Sequence, residues 1–267
     1  MHKTPIPFGL YAIVFLIFLY GPILLMPVFS FNDSIFATFP LKGFTFRHYE
    51  TMAKEVRLLE ALRNSIVVGI VVSVISTALG LLGAIAATRY KLPGRGSVMG
   101  AIMLPLVVPS IIFGVALLVI LRRVFDIELS LFTVAAGHVL LAVPFAMLVL
   151  ISRLEGFEKS LEEASADLGE RPWMTFWRIT FPLALPGIVS SVLMCFTISF
   201  DEFVLAFFLS GTDQTLPIFL FSQLRFPQRL PPTLALGSSI LFMSTIIVII
   251  SEILRRRGVA PARSSEL

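Results

Sequence analysis

Two adjacent carboxylates, Asp201 and Glu202, stand inside an otherwise apolar stretch, Ser199-Phe200-Asp201-Glu202-Phe203. An ionised Asp near a bilayer centre costs roughly 2.5 to 3.5 kcal/mol on insertion scales, so such groups face a cavity, a partner or a cation. A cationic solute would answer that cost. Successive helical residues point about 100° apart, so at most one of the pair faces a pathway squarely while the other pairs elsewhere. A structural carboxylate near the outer interface, bonded to a partner subunit, is the competing reading. His138 reads first as a hydrogen-bonded packing residue, with transport or gating as the alternative. Glu252 precedes Arg255 and Arg256 by three and four residues, the spacing of a helix-end ion pair. The sequence has no GxxxxGK phosphate loop, HExxH, paired-Cys motif or GxSxG elbow. No catalytic residue, bound cofactor or metal is expected, and any ATP-driven step needs a separate polypeptide.

A second set of residues is polar and evenly spaced. Ser160 to Pro182 reads SLEEASADLGERPWMTFWRITFP. Ser160 followed three residues later by Glu163 predicts a capping box that opens a short helix, and Gly169 is placed to close it with a left-handed residue. Leu161, Ala164 and Leu168 fall on one side at helical spacing, and the small Ala164 and Ser165 let that side approach a foreign groove. Pro172 suits the first turn of a second short helix. The segment reads as a docking element, and an ordinary amphipathic loop is the plainer alternative.

The elements that position these residues are membrane spans. The 267 residues are 57% hydrophobic and 14% charged, with a mean hydropathy of +0.92, which excludes a soluble globular domain. Runs long enough to cross about 30 Å of hydrocarbon occur near 10–30, 64–88, 98–121, 130–152, 183–209 and 233–254. Uninterrupted stretches of this length fit helices rather than the short alternating strands of a barrel. The expectation is an all-α polytopic protein with six transmembrane helices, one transmembrane domain over 1–267, and a polar loop at 153–182.

Six spans put both termini on one side. That side, which includes the 153–182 loop, carries the larger share of the 21 Lys and Arg residues: Lys3, Arg89, Lys91, Arg95, Arg153, Lys159, Arg171, Arg178, Arg255, Arg256, Arg257 and Arg263. The positive-inside rule makes it cytoplasmic. The net charge of +4 fits basic residues facing anionic lipid, and no nucleic-acid partner is needed. The first apolar run exceeds a signal-peptide core and reads as a retained span. Cys195 is a lone packing residue.

Between the first two spans, Pro40, Gly43 and several aromatics predict an ordered turn at the membrane interface. A short helix with Leu58, Leu59 and Leu62 on one side follows, and the 31–63 segment reads either as a docking place for a binding protein or as a plain interfacial loop. Arg89 to Gly96 reads as a tight basic turn. Pro105, Pro109 and Pro144 are expected to interrupt spans three and four.

The segment Glu163, Ala164, Gly169, Ile179, Pro182 resembles the EAA loop of ABC importer permeases. It departs at Ser165, where the pattern has Ala, and at Phe181, where it has Leu. Nearly the whole chain is similar to the smaller permease of spermidine/putrescine-type ABC importers. Carrying that resemblance are Ser30-Phe31-Asn32, Gly43-Phe44-Thr45, Tyr49, Asn64-Ser65, Arg89-Tyr90, Ser199-Phe200-Asp201-Glu202 and Gly211. The resemblance implies a type I importer permease fold in a bacterial inner membrane and a coupling helix at Glu163, Ala164, Ser165, Leu168 and Gly169. The partners it implies are a second homologous permease, two ATPase subunits that use ATP and Mg, and an extracytoplasmic substrate-binding protein. Asp201 and Glu202 would lie on the pathway of a polyamine such as spermidine or putrescine. An amino-acid derivative, an opine or another organic solute stays open as substrate. Of other classes, a gradient-driven secondary transporter would not need the capped loop helix and often shows an internal repeat, which this chain lacks. A membrane-embedded enzyme would have only Asp201, Glu202 and His138 to work with.

Overall fold

The computed structural model of the chain describes residues 6–90 and 93–258, and the side chains of residues 8–90, 93–246 and 249. The expected Glu252 pairing with Arg255 and Arg256, and the basic residues Lys3, Lys91, Arg257 and Arg263, lie outside them. The described residues are all-α apart from one isolated bridge, Asn32 to Phe44. In order the helices are α1 (Ile6–Ser30), α2 (Arg47–Lys54), α3 (Val56–Arg89), α4 (Arg95–Val107), α5 (Ser110–Val119), α6 (Leu131–Glu155), α7 (Ser160–Asp167), α8 (Pro172–Thr175), α9 (Phe181–Asp201), α10 (Val204–Leu209), α11 (Leu216–Gln223) and α12 (Leu230–Gly258). Wider π turns, Ile120–Val124 and Phe176–Thr180, follow α5 and join α8 to α9. The chain forms two compact units, one of residues 1–56 and 220–267, the other of residues 57–219.

Among the described residues, four helical stretches are long and apolar enough to cross a membrane: Phe8–Ser30, Val56–Arg89, Leu131–Glu155 and Pro172–Asp201. A fifth crossing exists if Arg95–Val107 and Ser110–Val124, bent by 105°, count as one. The predicted sixth span, 233–254, falls within α12. Three boundaries differ from the sequence reading. The span expected near 98–121 breaks at Val108, whose ψ of 129° is the extended backbone favoured for a residue before proline. Pro105 and Pro144, by contrast, sit inside continuous helices. The span expected at 183–209 starts earlier, at Pro172, and stops at Asp201, where Glu202 turns extended.

In the first unit, α1 leaves nearly all its apolar side chains exposed, as a lipid-facing helix does. Beyond it the chain folds back on itself in a compact turn. Phe31 stacks on Phe44 and on Tyr49, each with centroids 4.9 Å apart. Tyr49 and Ser30 share a 2.7 Å hydroxyl bond, and Asn32 Oδ1 accepts from Lys42 N at 2.8 Å. The predicted ordered turn is present. The predicted helix after it begins at Val56 and continues without interruption into α3, with Leu58 buried and Leu59 exposed.

In the second unit, α3, α6 and α9 meet. Lipid tails are as apolar as leucine, so helices associate in a membrane through close approach rather than water exclusion. Small residues permit it here: a Cβ on Gly80 would lie 2.6 Å from Ala146 Cβ, and one on Gly83 would lie 3.0 Å from Met147 Sδ. Polar contacts add to it through Thr77 and Ser191, whose hydroxyls are 3.0 Å apart. Two apolar clusters fill the unit. One joins Val68 and Val72 to Leu141, Cys195, Leu205 and Leu209, the other Ala84 and Ala87 to Met147, Leu150, Leu154 and Ala184.

Candidate functional site

Helix α7 has eight residues, too few to hold a helix unaided. Its C-terminal end is closed as the sequence predicts. Gly169 has φ +83°, its N–H donates to the Ala166 carbonyl at 2.9 Å, and Glu170 N–H donates to the Ser165 carbonyl at 3.2 Å. That is the paired bond pattern of a Schellman cap, which needs a left-handed residue. Its start is not as predicted. Lys159 occupies the N-cap position in helical conformation with no side-chain cap, and Ser160 Oγ turns to Glu158 Oε2 at 3.1 Å. The capping box therefore does not form. Ser160 is already helical, so its hydroxyl no longer reaches forward, and Glu163 points out to solvent.

The two faces of α7 are distinct. Leu161, Glu163, Ala164 and Leu168 are exposed, Leu168 at 87%. Trp173 and Trp177 are also exposed and continue a ladder of rings through Phe176 to Phe181. Ser165, expected beside Ala164 on the docking side, faces inward instead: it is buried, with its hydroxyl 2.9 Å from Thr175 Oγ1 on α8. One helical step of about 100° separates the neighbours. Glu162 also turns inward, 2.8 Å from Arg89 Nε at the end of α3, and accepts a 2.8 Å bond from Thr180 Oγ1. Behind it, Glu170 pairs with Arg178. Pro172 opens α8 as predicted, its fixed φ suited to a first turn. The site is thus an exposed apolar strip with two outward acids, Glu163 and Asp167, carried on a helix pinned from behind.

Sequence reasoning missed Arg89, Glu162, Thr175 and Thr180 as a group. Arg89 and Glu162 are far apart in sequence, and the spacing that places Leu161, Ala164 and Leu168 on one side of the helix gives Glu162 no partner on the other.

Asp201 and Glu202 part company. α9 ends at Asp201, and Glu202 Oε1 accepts from the N–H groups of Val204 at 2.9 Å and Leu205 at 3.1 Å. Glu202 therefore caps α10, supplying an acceptor to donors that lack intrahelical partners. Asp201 is exposed. Among the described residues it makes no hydrogen bond or ion pair, which leaves it open to a cation or partner. His138 is buried, with Nδ1 2.9 Å from Ser199 Oγ, a helix-to-helix packing contact.

At the other end of α3, a polar cleft of about 380 Å³ is lined by Arg57, Glu60, Asn64, Thr212, Asp213 and Gln214. Asn64 Nδ2 donates to the Gln214 carbonyl at 3.0 Å and Ser65 Oγ accepts from Leu216 N at 2.7 Å, so these two residues hold the 212–216 loop. Gly211 is also explained: a Cβ there would run into the Leu129 carbonyl. Among the described residues, no group of three or more His, Cys, Asp or Glu has metal-binding geometry.

Residues 80–258 match the family described as the binding-protein-dependent transport system inner membrane component. The chain is 32% identical to the Spermidine/putrescine transport system permease protein PotC of Haemophilus influenzae, over 90% of this chain and 93% of the relative. It is 30% identical to the Putrescine transport system permease protein PotI of Escherichia coli, over 84% of each. Its fold resembles a bacterial ABC transporter that imports the acidic polysaccharide alginate, with TM-score 0.71, 18% identity, and 95% and 96% of the two chains covered. A second structure, of the alginate transporter in complex with a pentasaccharide-bound periplasmic protein, gives TM-score 0.72, 17% identity and 94% coverage of each chain.

Proposed function

The chain belongs to the family of binding-protein-dependent transport system inner membrane components, and on that premise we propose that it forms half of the translocation pathway of an ATP-driven importer of polyamines such as spermidine or putrescine. It is a multi-pass inner-membrane permease without an enzymatic role of its own. The second homologous permease, the pair of ATPase subunits and the extracytoplasmic binding protein complete the machine. ATP and Mg are handled by the ATPase. α7, both termini and the basic turn after α3 face the cytoplasm, and the Arg57 to Gln214 cleft faces outward.

The observation that carries this reading is the two-faced geometry of α7. An exposed strip of Leu161, Ala164 and Leu168, with Glu163 beside it, lies on a helix tied from behind to α3, α8 and the start of α9. A helix anchored in this way transmits displacement. When two ATPase subunits close on ATP, α7 is pushed, and α4 to α10 reorient to open the pathway to the other side. The exposed Asp201 carboxylate suits a di- or tricationic solute, whose ammonium groups would offset the charge in low dielectric.

The test is to purify the tagged chain from its native membrane in mild detergent and identify its stoichiometric companions by mass spectrometry. A P-loop ATPase, a second permease and a binding protein that takes up polyamines are expected. A folded chain that emerges alone would overturn the docking role of Glu163 to Gly169.

A further inference from the structure

Arg89 closes α3 and touches three other parts of the second unit. Its Nη2 donates to the Leu154 carbonyl on α6 at 3.3 Å, and its guanidinium lies 5.1 Å from the centre of the Phe157 ring. Its Nε is 2.8 Å from Glu162 Oε2 on α7. The other Glu162 oxygen is held by Thr180, one residue before α9. A single carboxylate therefore links the ends of α3 and α9 through α7. Both charged side chains are largely withdrawn from water, Arg89 to 11% and Glu162 to 19% exposure, so salt screens the pair little. The Nε–H does not point along the line to the carboxylate, which makes this a charge contact rather than a directed hydrogen bond. Such a contact tolerates tilting and resists separation.

Beside this pair α7 is not close-packed. An open cleft of about 250 Å³ is lined by Ile85, Arg89, Glu162, Ala166, Thr175 and Thr180, among others, where α7 meets α3 and the segment before α9. A cleft of this size admits water, and mobile water does not carry displacement from one wall to the other, so apolar contact conveys little there. What bridges the gap is polar: the Arg89, Glu162 and Thr180 contacts, and the Ser165 to Thr175 bond.

We propose that Arg89, Glu162 and Thr180 form the linkage that makes α7 move as one body with the ends of α3, α6 and α9. Arg89 and Glu162 are positioning residues that touch neither nucleotide nor solute. The neighbouring acids divide the work: Glu163 faces the partner, and Glu162 faces the permease interior. The linkage rests on α7 being the ATPase-docking helix, and it names the route by which docking reaches the pathway.

The test uses the whole complex in proteoliposomes with its binding protein, and the readout is solute taken up per ATP hydrolysed. A loss of folding or assembly alone would change the amount of active complex and not that ratio. Arg89→Cys with Glu162→Cys should lower the ratio by about fivefold or more, the lower end of ordinary coupling between two sites. Bridging the two thiols with a short bifunctional reagent should restore it, while native Cys195 stays buried within α9. An unchanged ratio without the pair would overturn the linkage. So would a bridge that stops transport, because α7 would then have to slide past α3. Should the double variant not assemble, Thr180→Val removes one hydroxyl only, and it must lower the ratio for the linkage to stand. Failure of the docking reading looks different: the wild-type complex would lack an ATPase, or its uptake would not need ATP.

Discussion

Gly169→Ala should loosen α7 and leave the rest of the chain alone. The φ of Gly169 is +83°, and a Cβ built there meets nothing within 4 Å, so the cost is conformational rather than steric. A left-handed backbone costs a residue with a side chain about 1–2 kcal/mol. One or two kcal/mol is about a 5- to 30-fold change in a local opening equilibrium. Hydrogen exchange on the assembled complex reads this directly at Leu168, Gly169 and Glu170, whose N–H groups close the helix. Those amides should exchange faster by that factor, and Gly169→Asn should lie between, since Asn enters the left-handed region more readily. Gly96→Ala is the matched control. It too has open space around its Cβ, but it lies inside α4, where Ala is favoured by up to about 1 kcal/mol. Protection of α7 in Gly169→Ala equal to wild type would show that the Schellman cap does not fix this helix.

Further consequences follow from the packing and the caps. Glu202→Ala strands the N–H groups of Val204 and Leu205 and should destabilise α10 by about 0.5–2 kcal/mol in thermal unfolding, whereas Glu202→Gln keeps an acceptor and should lose less. Gly80→Ala drives a methyl into the Ala146 backbone and should cost about 1–3 kcal/mol, while Gly83→Ala meets only the flexible Met147 side chain and should be far milder; equal effects would refute the close-approach reading. Asp201→Asn should reduce uptake of a cationic solute in a complex that still assembles, and normal uptake would remove Asp201 from the pathway.

What the sequence made legible was local. Pro172 fixes its own φ and Gly169 enters the left-handed region without a Cβ penalty, so the end of α7 and the start of α8 could be read from single residues. The apolar runs located the spans, because length and hydropathy are properties of a segment. What depends on distant partners was hidden. Ser160 and Glu163 satisfy the spacing of a capping box, yet α7 enters from an already helical Lys159, and the hydroxyl turns to Glu158. The inward face of α7 is set by Arg89, Thr175 and Thr180 on other elements, which no window around Glu162 contains. The break after Asp201 carries neither Gly nor Pro. It exists because the Glu202 side chain itself takes the bonds that a continuing backbone would have made, a substitution visible only in three dimensions. Pro109 breaks its span while Pro105 and Pro144 do not, so a proline alone does not say whether neighbouring packing will absorb it.

The measurement that bears most directly on the proposed role is uptake of labelled putrescine or spermidine into proteoliposomes that hold the purified complex, with binding protein outside and ATP within reach of the ATPase. Uptake should require ATP, and Leu168→Asp should stop it by detaching the ATPase, with no loss of folding because Leu168 is 87% exposed. Uptake that continues without ATP, follows an imposed ion gradient and ignores Leu168→Asp would contradict an ATP-driven permease coupled through α7.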